Sequence, residues 1–166
     1  MKLNDNLNDL LSIFKQAKSK LIKKNISNAQ NELEWFVHKK FNIQKKKLYL
    51  QKNIYLTKKQ ITQINDFITR RLSGEPFQYI LNKASFYGYD LYVDKNVLIP
   101  RPETELIIDI LKKNGKVSTL LDVGTGSGCI AITCAIENIS DIIYATDIST
   151  DAIAIAKENI IKYKIE

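Results

Sequence analysis

Between Thr119 and Ile132 the sequence reads TLLDVGTGSGCIAI: an apolar run, an acid, three glycines in five residues, and a second apolar run. Glycines in a loop between a buried strand and a helix accept positive φ and let the backbone approach a bound molecule closely. The helix that follows offers unpaired N–H groups at its start. The chemistry this favours is the binding of a nucleotide-like ligand, and two classes use the device: dinucleotides and S-adenosylmethionine. The dinucleotide spacing G-x-G-x-x-G/A fails from Gly124, where the sixth position is Cys129. It is met from Gly126 by Gly126, Gly128 and Ala131. The alternative spacing, an acid two residues ahead of G-x-G-x-G, is met by Asp122, Gly124, Gly126 and Gly128. Asp147, at the end of the next apolar run, can accept from both ribose hydroxyls in either class. A turn that holds no ligand would bear the backbone entropy of three alternating glycines with no packing gain.

Little else in the chain has the makings of a reactive group. His38 is the single histidine and stands beside Lys39 and Lys40, as a solvated surface residue would. Cys129 and Cys134 lie five apart in a predicted helix among Ile and Ala, so they face differently and read as buried, reduced thiols. No metal-ligand set and no catalytic residue is assigned.

The elements that must position the loop follow from periodicity. From Ser118 the chain alternates strand (120–123), glycine loop, helix (129–137), strand (142–146) and helix (151–163), the opening of a doubly wound α/β domain. Ahead of it, VLIPRPETELIIDILKKNG (97–115) predicts a helix with Pro102 in its first turn, Leu106, Ile107, Ile110 and Leu111 on its apolar face, and Gly115 as its stop. SFYGYDLYVD (85–94) alternates around Gly88 and predicts a β-hairpin. Its residues Phe86, Tyr87, Tyr89 and Tyr92 are either an aromatic binding wall or packing. The first 75 residues read as helices. Leu7, Leu10, Leu11, Phe14, Ala17 and Leu21 recur at helical spacing, as do Ala29, Leu33, Phe36 and Val37. A short helix is expected near 44–51, and a longer one carries Ile61, Ile64, Phe67, Ile68 and Leu72 inward. Capping boxes are predicted at Ser27–Gln30 and Thr57–Gln60.

Composition sets outer limits. The 166 residues carry a net charge of +7, unevenly placed: residues 1–75 hold +10 and residues 76–166 hold −3. A basic first half attracts acidic or RNA-rich partners, the ribosome among them, though weakly. Twenty-two of the 25 basic residues are Lys, in a chain crowded with Asn and Ile as well, so the charge also has a plain compositional origin. No apolar run approaches the ~20 residues that span a bilayer, and the N-terminus lacks the pattern of a signal peptide. A cytoplasmic address, with no membrane partner, is the expectation.

Four segments now stand in order: GEPFQYIL (74–81), FYGYDLYVDKNVLIPRPETE (86–105), LLDVGTGSGCIAI (120–132) and ATDIST (145–150). Together they resemble the bacterial HemK-type protein-glutamine methyltransferases, with Pro-Arg-Pro-Glu-Thr-Glu the most specific part. The resemblance runs from Gly74 to the end. It implies an N-terminal helical substrate-recognition bundle (1–74), a β-hairpin linker (75–97), and the first half of a Rossmann-like class I methyltransferase domain (98–166). It further implies S-adenosyl-L-methionine as cofactor, lined by Gly124, Thr125, Gly126, Ser127 and Gly128, with Asp147 on the ribose. The activity it implies is N5-methylation of a glutamine side-chain amide in peptide chain release factors, gripped in part by the bundle. The family also carries an Asn-Pro-Pro-Tyr motif that holds the substrate amide. That tetrapeptide is missing from these residues, so the expectation is a fragment, a split gene product or a decaying gene. Three other readings stay open: a methyltransferase of similar fold acting on another amide or an exocyclic amine, a nicotinamide-dependent oxidoreductase resting on Gly126, Gly128 and Ala131, and a non-catalytic remnant that binds a partner through its basic helices.

Overall fold

The structure, a computed structural model, describes residues 9–50 and 54–165. Leu7 and Gln51 lie outside the described residues. The chain divides into two compact units, Met1–Ile80 and Leu81–Glu166.

The first unit is helical: α1 (Leu10–Ile22), α2 (Ala29–Phe41), α3 (Lys45–Leu50), α4 (Lys58–Leu72) and α5 (Phe77–Leu81), which reaches the division. Helix α1 packs on α2 and α4. Leu10, Ile13, Ala17, Leu21, Leu33, Val37, Ile64 and Phe67 are fully enclosed between them. The Phe36 and Phe67 rings stack with centroids 4.5 Å apart, and Phe77 meets Phe67 edge-on at 6.1 Å. Arg71 grips Glu32 with two bonds of 2.7 and 3.1 Å, tying α4 to α2. The box at Thr57 forms: Gln60 N–H donates to Thr57 Oγ1 at 3.3 Å, and Thr57 N–H donates to Gln60 Oε1 at 2.9 Å.

The box at Ser27 does not form. Helix α2 starts one residue later, with Asn28 as its cap and no side-chain capping bond. The turn from Ile26 supplies the reason: Ala29 N–H donates to the Ile26 carbonyl at 3.3 Å, and Asn28 Oδ1 is taken by Asn31 Nδ2 at 2.7 Å. Leu11 also departs from expectation at 41% exposed, because the buried stripe of α1 runs through Leu10, Ile13, Phe14 and Ala17.

The second unit opens with a hairpin, β1 (Ala84–Phe86) and β2 (Tyr89–Leu91), paired antiparallel with Phe86 opposite Tyr89. Its two-residue turn, Tyr87 (φ 51°) and Gly88 (φ 81°), has positive φ at both centres, the geometry that matches strand twist. The aromatic residues are packed. Phe86 is in the core, Tyr89 meets the Tyr163 ring edge-on at 5.8 Å, and Tyr87 OH donates to Asp109 at 2.8 Å.

A short 3-10 turn (Pro102–Thr104) leads into α6 (Glu105–Asn114), then β3 (Val117–Val123), α7 (Cys129–Ile136), β4 (Ser140–Thr146) and α8 (Thr150–Tyr163). Strands β3 and β4 pair in parallel, with Leu121 opposite Tyr144 and Val123 opposite Thr146. Helix α7 packs on both strands, and Phe86, Leu91, Ile108, Ile132, Cys134 and Ile139 form the core. The opposite sheet face, with Leu121, Val123, Ile142 and Tyr144, is exposed among the described residues.

Helix α6 corrects the expected apolar face. Ile108 is the buried residue, while Leu106, Ile107 and Ile110 are 61%, 42% and 59% exposed. Polar anchors set the phase. Glu105 Oε1 accepts from Tyr87 N–H at 2.9 Å, Asp109 takes the Tyr87 hydroxyl, and Lys112 pairs with Glu137 at 2.5 Å. Positions 105, 109 and 112 therefore face the hairpin and α7, and Ile108 lies among them.

Candidate functional site

The glycine loop connects the end of β3 to the start of α7. Gly124, Gly126 and Gly128 have φ of +79°, +55° and +81°, alternating with Thr125 and Ser127. Positive φ at every second residue is a backbone path that side-chain-bearing residues take only at a cost. Three sets of bonds hold the path. Gly124 N–H and Thr125 N–H both donate to the Thr146 carbonyl, at 2.8 and 2.9 Å, fastening the loop to the end of β4. Gly128 N–H donates to the Thr125 carbonyl at 2.8 Å. Asp122, which is buried, accepts from Thr125 Oγ1 at 2.7 Å and from Ala131 N–H at 3.3 Å. The acid of the motif is thus a clamp within the protein, closing loop and helix onto the strand.

The glycines differ in what surrounds them. A Cβ at Gly124 or Gly126 would meet nothing within 4 Å. At Gly128 it would lie 2.8 Å from Ile132 Cδ1 and 3.4 Å from Ala156 Cβ. Gly128 is bare because helices α7 and α8 close over it, whereas Gly124 and Gly126 border open space. That open backbone is where a ligand could lie against the loop.

Asp147 borders the same space. Its carboxylate accepts from Gly126 N–H at 2.9 Å through Oδ2 and from Ser149 N–H at 2.9 Å through Oδ1. The Ser149 donor, followed by the Gly126 donor, holds its pKa below the usual 3.8, so it is an acceptor at neutral pH. A carboxylate has about four lone-pair sites, and the two backbone donors leave capacity for a vicinal diol. The structure therefore brings Gly124, Gly126 and Asp147 together beside one open space, whereas Thr125, Ser127 and Gly128 are buried in the protein behind it. Thr125 and Ser127 are buried, at 4% and 2% exposed, and Ser127 Oγ has no hydrogen-bond partner. These bare glycines and the acceptor at Asp147 fit an adenosyl group, with its ribose diol on the acid.

Sequence reasoning missed Asn159. It is fully buried in α8 and makes three bonds: Oδ1 accepts from Tyr92 N–H at 2.7 Å, and Nδ2 donates to the carbonyls of Tyr92 at 3.0 Å and Ser127 at 2.9 Å. One amide thus locks the segment after β2 to the glycine loop. The available signal was an Asn on the inward stripe of α8, in line with Ala152, Ile155 and Ala156.

Cys134 is buried as expected, whereas Cys129, at the first residue of α7, is only partly buried. Both are free, and desolvation, followed by the charge of Asp122, pushes their thiols up to about 11. No cluster of three or more metal-ligating side chains occurs among the described residues, and no described helix is long and apolar enough to cross a membrane. His38 is exposed.

Residues 12–81 match the family model described as the PrmC N-terminal domain, and residues 102–166 match the methyltransferase small domain. Among curated relatives, the release factor glutamine methyltransferase of Chlorobaculum tepidum is 42% identical over 125 residues, covering 70% of this chain and 42% of that protein. The protein of the same name from Mycoplasma mycoides is 33% identical over 163 residues, covering 95% of this chain and 56% of its own length. A bifunctional methyltransferase of Rickettsia prowazekii is 38% identical over 139 residues, 71% of this chain and 27% of its own length. The chain thus spans about half, or less, of the relatives it matches.

Proposed function

The chain belongs to the release factor glutamine methyltransferase family over the residues it shares with those relatives, and on that premise we propose that its second unit binds S-adenosyl-L-methionine for the N5-methylation of a release-factor glutamine. The observation that carries this reading is the pairing of open backbone at Gly124 and Gly126 with the Asp147 acceptor beside it. Gly124 and Gly126 would lie against the nucleoside, with Thr125, Ser127 and Gly128 holding the loop's shape from behind, and Asp147 would receive its ribose hydroxyls. Bound there, the cofactor supplies an electrophilic methyl group on a sulfonium.

The protein's own part is preorganisation. Asp122 fixes the loop to α7, Thr146 fixes it to β4, and Asn159 fixes it to the hairpin, so little of the loop's entropy remains to be lost on binding. An amide nitrogen is a weak nucleophile, because its lone pair is delocalised into the carbonyl. Acceptors must orient it within about 3–3.5 Å of the methyl group. The Asn-Pro-Pro-Tyr tetrapeptide to which the resemblance assigns that task is not among these 166 residues. Within the residues at hand, the second unit is assigned cofactor binding and the first substrate recognition.

Calorimetry on the full chain tests the cofactor. S-adenosylhomocysteine should bind, NAD should not, and Asp147→Asn should weaken binding about 10- to 100-fold, the span expected for bonds to a charged acceptor. Tighter binding of NAD, or no binding of either, would overturn the reading.

A further inference from the structure

The sheet of the second unit is covered on one side only. Thr119, Leu121 and Val123 of β3 stand opposite Ile142, Tyr144 and Thr146 of β4, so these positions share the face turned away from α7. Leu121, Val123, Ile142 and Tyr144 are each more than half exposed there. Parallel strands occur almost always with helices over both faces, and here one face has them.

The helical side shows the same shortfall. Helix α7 packs on α6 and on α8, which have no comparable contact with each other, so the layer is three helices wide. At about 8–10 Å between neighbouring axes it spans about 16–20 Å, whereas two strands stand about 4.8 Å apart. The layer is wider than the sheet beneath it. Helix α6 carries the consequence: Leu106, Ile107 and Ile110 are exposed, although Ile108 between them reaches the core. Further strands beside the sheet would lie under that stripe and would pair the backbone groups along its edge.

Two observations choose the occupant. A second copy of this chain has no element to spare. Its α6, α7 and α8 are engaged with one another over its own sheet, and α1, α2 and α4 enclose the core of its first unit. The relatives do have elements to spare. The match to the Mycoplasma mycoides protein spans 163 residues, 56% of that relative, which leaves about 130 without a counterpart. These follow the shared part, since residues 12–81 match the family's N-terminal domain. At roughly 30 residues for a strand, a helix and their connections, that length supplies about four such units, enough to widen the sheet and to cover its second face.

We propose that the bare face of β3 and β4, the free edge of their sheet and the α6 stripe form one docking surface, and that its occupant is the strand-and-helix segment the relatives carry beyond the shared residues. The inference does not rest on cofactor binding, so either can fail alone.

The test joins the two parts. The full chain, tagged, is co-expressed with the segment of the Mycoplasma mycoides relative that follows the match, made as a separate polypeptide. The segment should co-purify, and sedimentation should show one copy of each. Hydrogen exchange across 106–110 and 117–123 should slow in the complex. Leu121→Glu would bury an unpaired charge and should weaken assembly at least tenfold, and Ile110→Glu should do so separately. Both positions are exposed in the free chain, so its circular dichroism should not change. Leu50→Glu, the same change at an exposed leucine of the first unit, should leave assembly within twofold. The proposal falls if the segment does not co-purify, if Leu121→Glu and Ile110→Glu assemble as the parent does, or if Leu50→Glu weakens assembly as much as they do. It falls equally if the chain alone forms a dimer that Leu121→Glu dissolves and the segment cannot displace, which would make a second copy the occupant.

Discussion

Gly126 and Gly128 sit two residues apart in one loop, both at positive φ, and should respond to alanine to different degrees. An L-residue in the left-handed region costs about 1–2 kcal/mol. At Gly126 nothing lies within 4 Å of the new methyl, so strain is the whole cost and stability should fall by about 1–2 kcal/mol. At Gly128 the same strain applies, and the methyl also meets Ile132 Cδ1 at 2.8 Å. Ile132 is buried at 1% exposed and must leave its rotamer, an overpacking cost of about 1–3 kcal/mol. Gly128→Ala should therefore cost about 2–5 kcal/mol in all. Ligand affinity should show a different pattern. The Gly126 methyl occupies the space proposed for the adenosyl group, so S-adenosylhomocysteine binding should weaken at least tenfold, and Gly126→Val should weaken it further. Hydrogen exchange over 129–136 measures the stability change, and calorimetry measures the affinity. If Gly126→Ala binds ligand as tightly as the parent while showing the expected strain, the open space above that glycine is not ligand space. If Gly128→Ala costs less than Gly126→Ala, the packing argument is wrong.

Asn159→Leu keeps the size of the side chain but strands one buried N–H and two carbonyls. At about 1–3 kcal/mol for each unpaired group, less partial relaxation, the second unit should lose about 3–6 kcal/mol. Faster exchange of the Tyr92 amide should report that loss, and unchanged protection there would contradict it. Glu34 should give the first unit an acid limb. Burial opposes its ionisation, but bonds from Lys45, Tyr49 and Gln30 outweigh burial and hold its pKa below 4.5. The unfolded chain then takes up this proton first. The stabilisation is complete above pH 4.5 and drains as pH falls through the lower folded value. Trp35 emission during denaturation at a series of pH values should show that limb, and Glu34→Gln should flatten it. With both thiols raised to about 11, iodoacetamide at pH 8 should label neither Cys129 nor Cys134 until the chain is unfolded; rapid labelling of the native chain would argue against those raised values.

The loop and its acids were legible in the sequence because their demands are local. Positive φ at alternate residues can be met cheaply only by Gly124, Gly126 and Gly128, and an acid at the end of β4 is placed by strand length alone. The Thr57 capping box was legible for the same reason, since its partners lie three residues apart. What escaped depends on contacts distant in sequence. The phase of α6 is set by Tyr87 and Glu137, and no periodicity within residues 105–114 reveals that Ile108 rather than Ile107 will be enclosed. At Ser27 a local pattern was present, but the preceding turn had already satisfied the first helical donor.

Asn159 shows why such distant contacts matter to the site. The loop's conformation is favourable for glycine but is not required by it, since glycine adopts many others equally well. Something outside the loop must select the one that leaves Gly124 and Gly126 facing open space. Thr146 holds the entry, Asp122 holds the exit through Thr125 and Ala131, and Asn159 holds Ser127 between them. Gly126 N–H is left to Asp147, the same carboxylate proposed to meet the ribose. A ligand on that carboxylate would therefore rest on a loop already fixed at its neighbours, and strain at Asp147 would pass directly into the backbone at Gly126. The site is one coupled unit of loop, acid and amide, with its glycines readable one by one and its rigidity readable only from the fold.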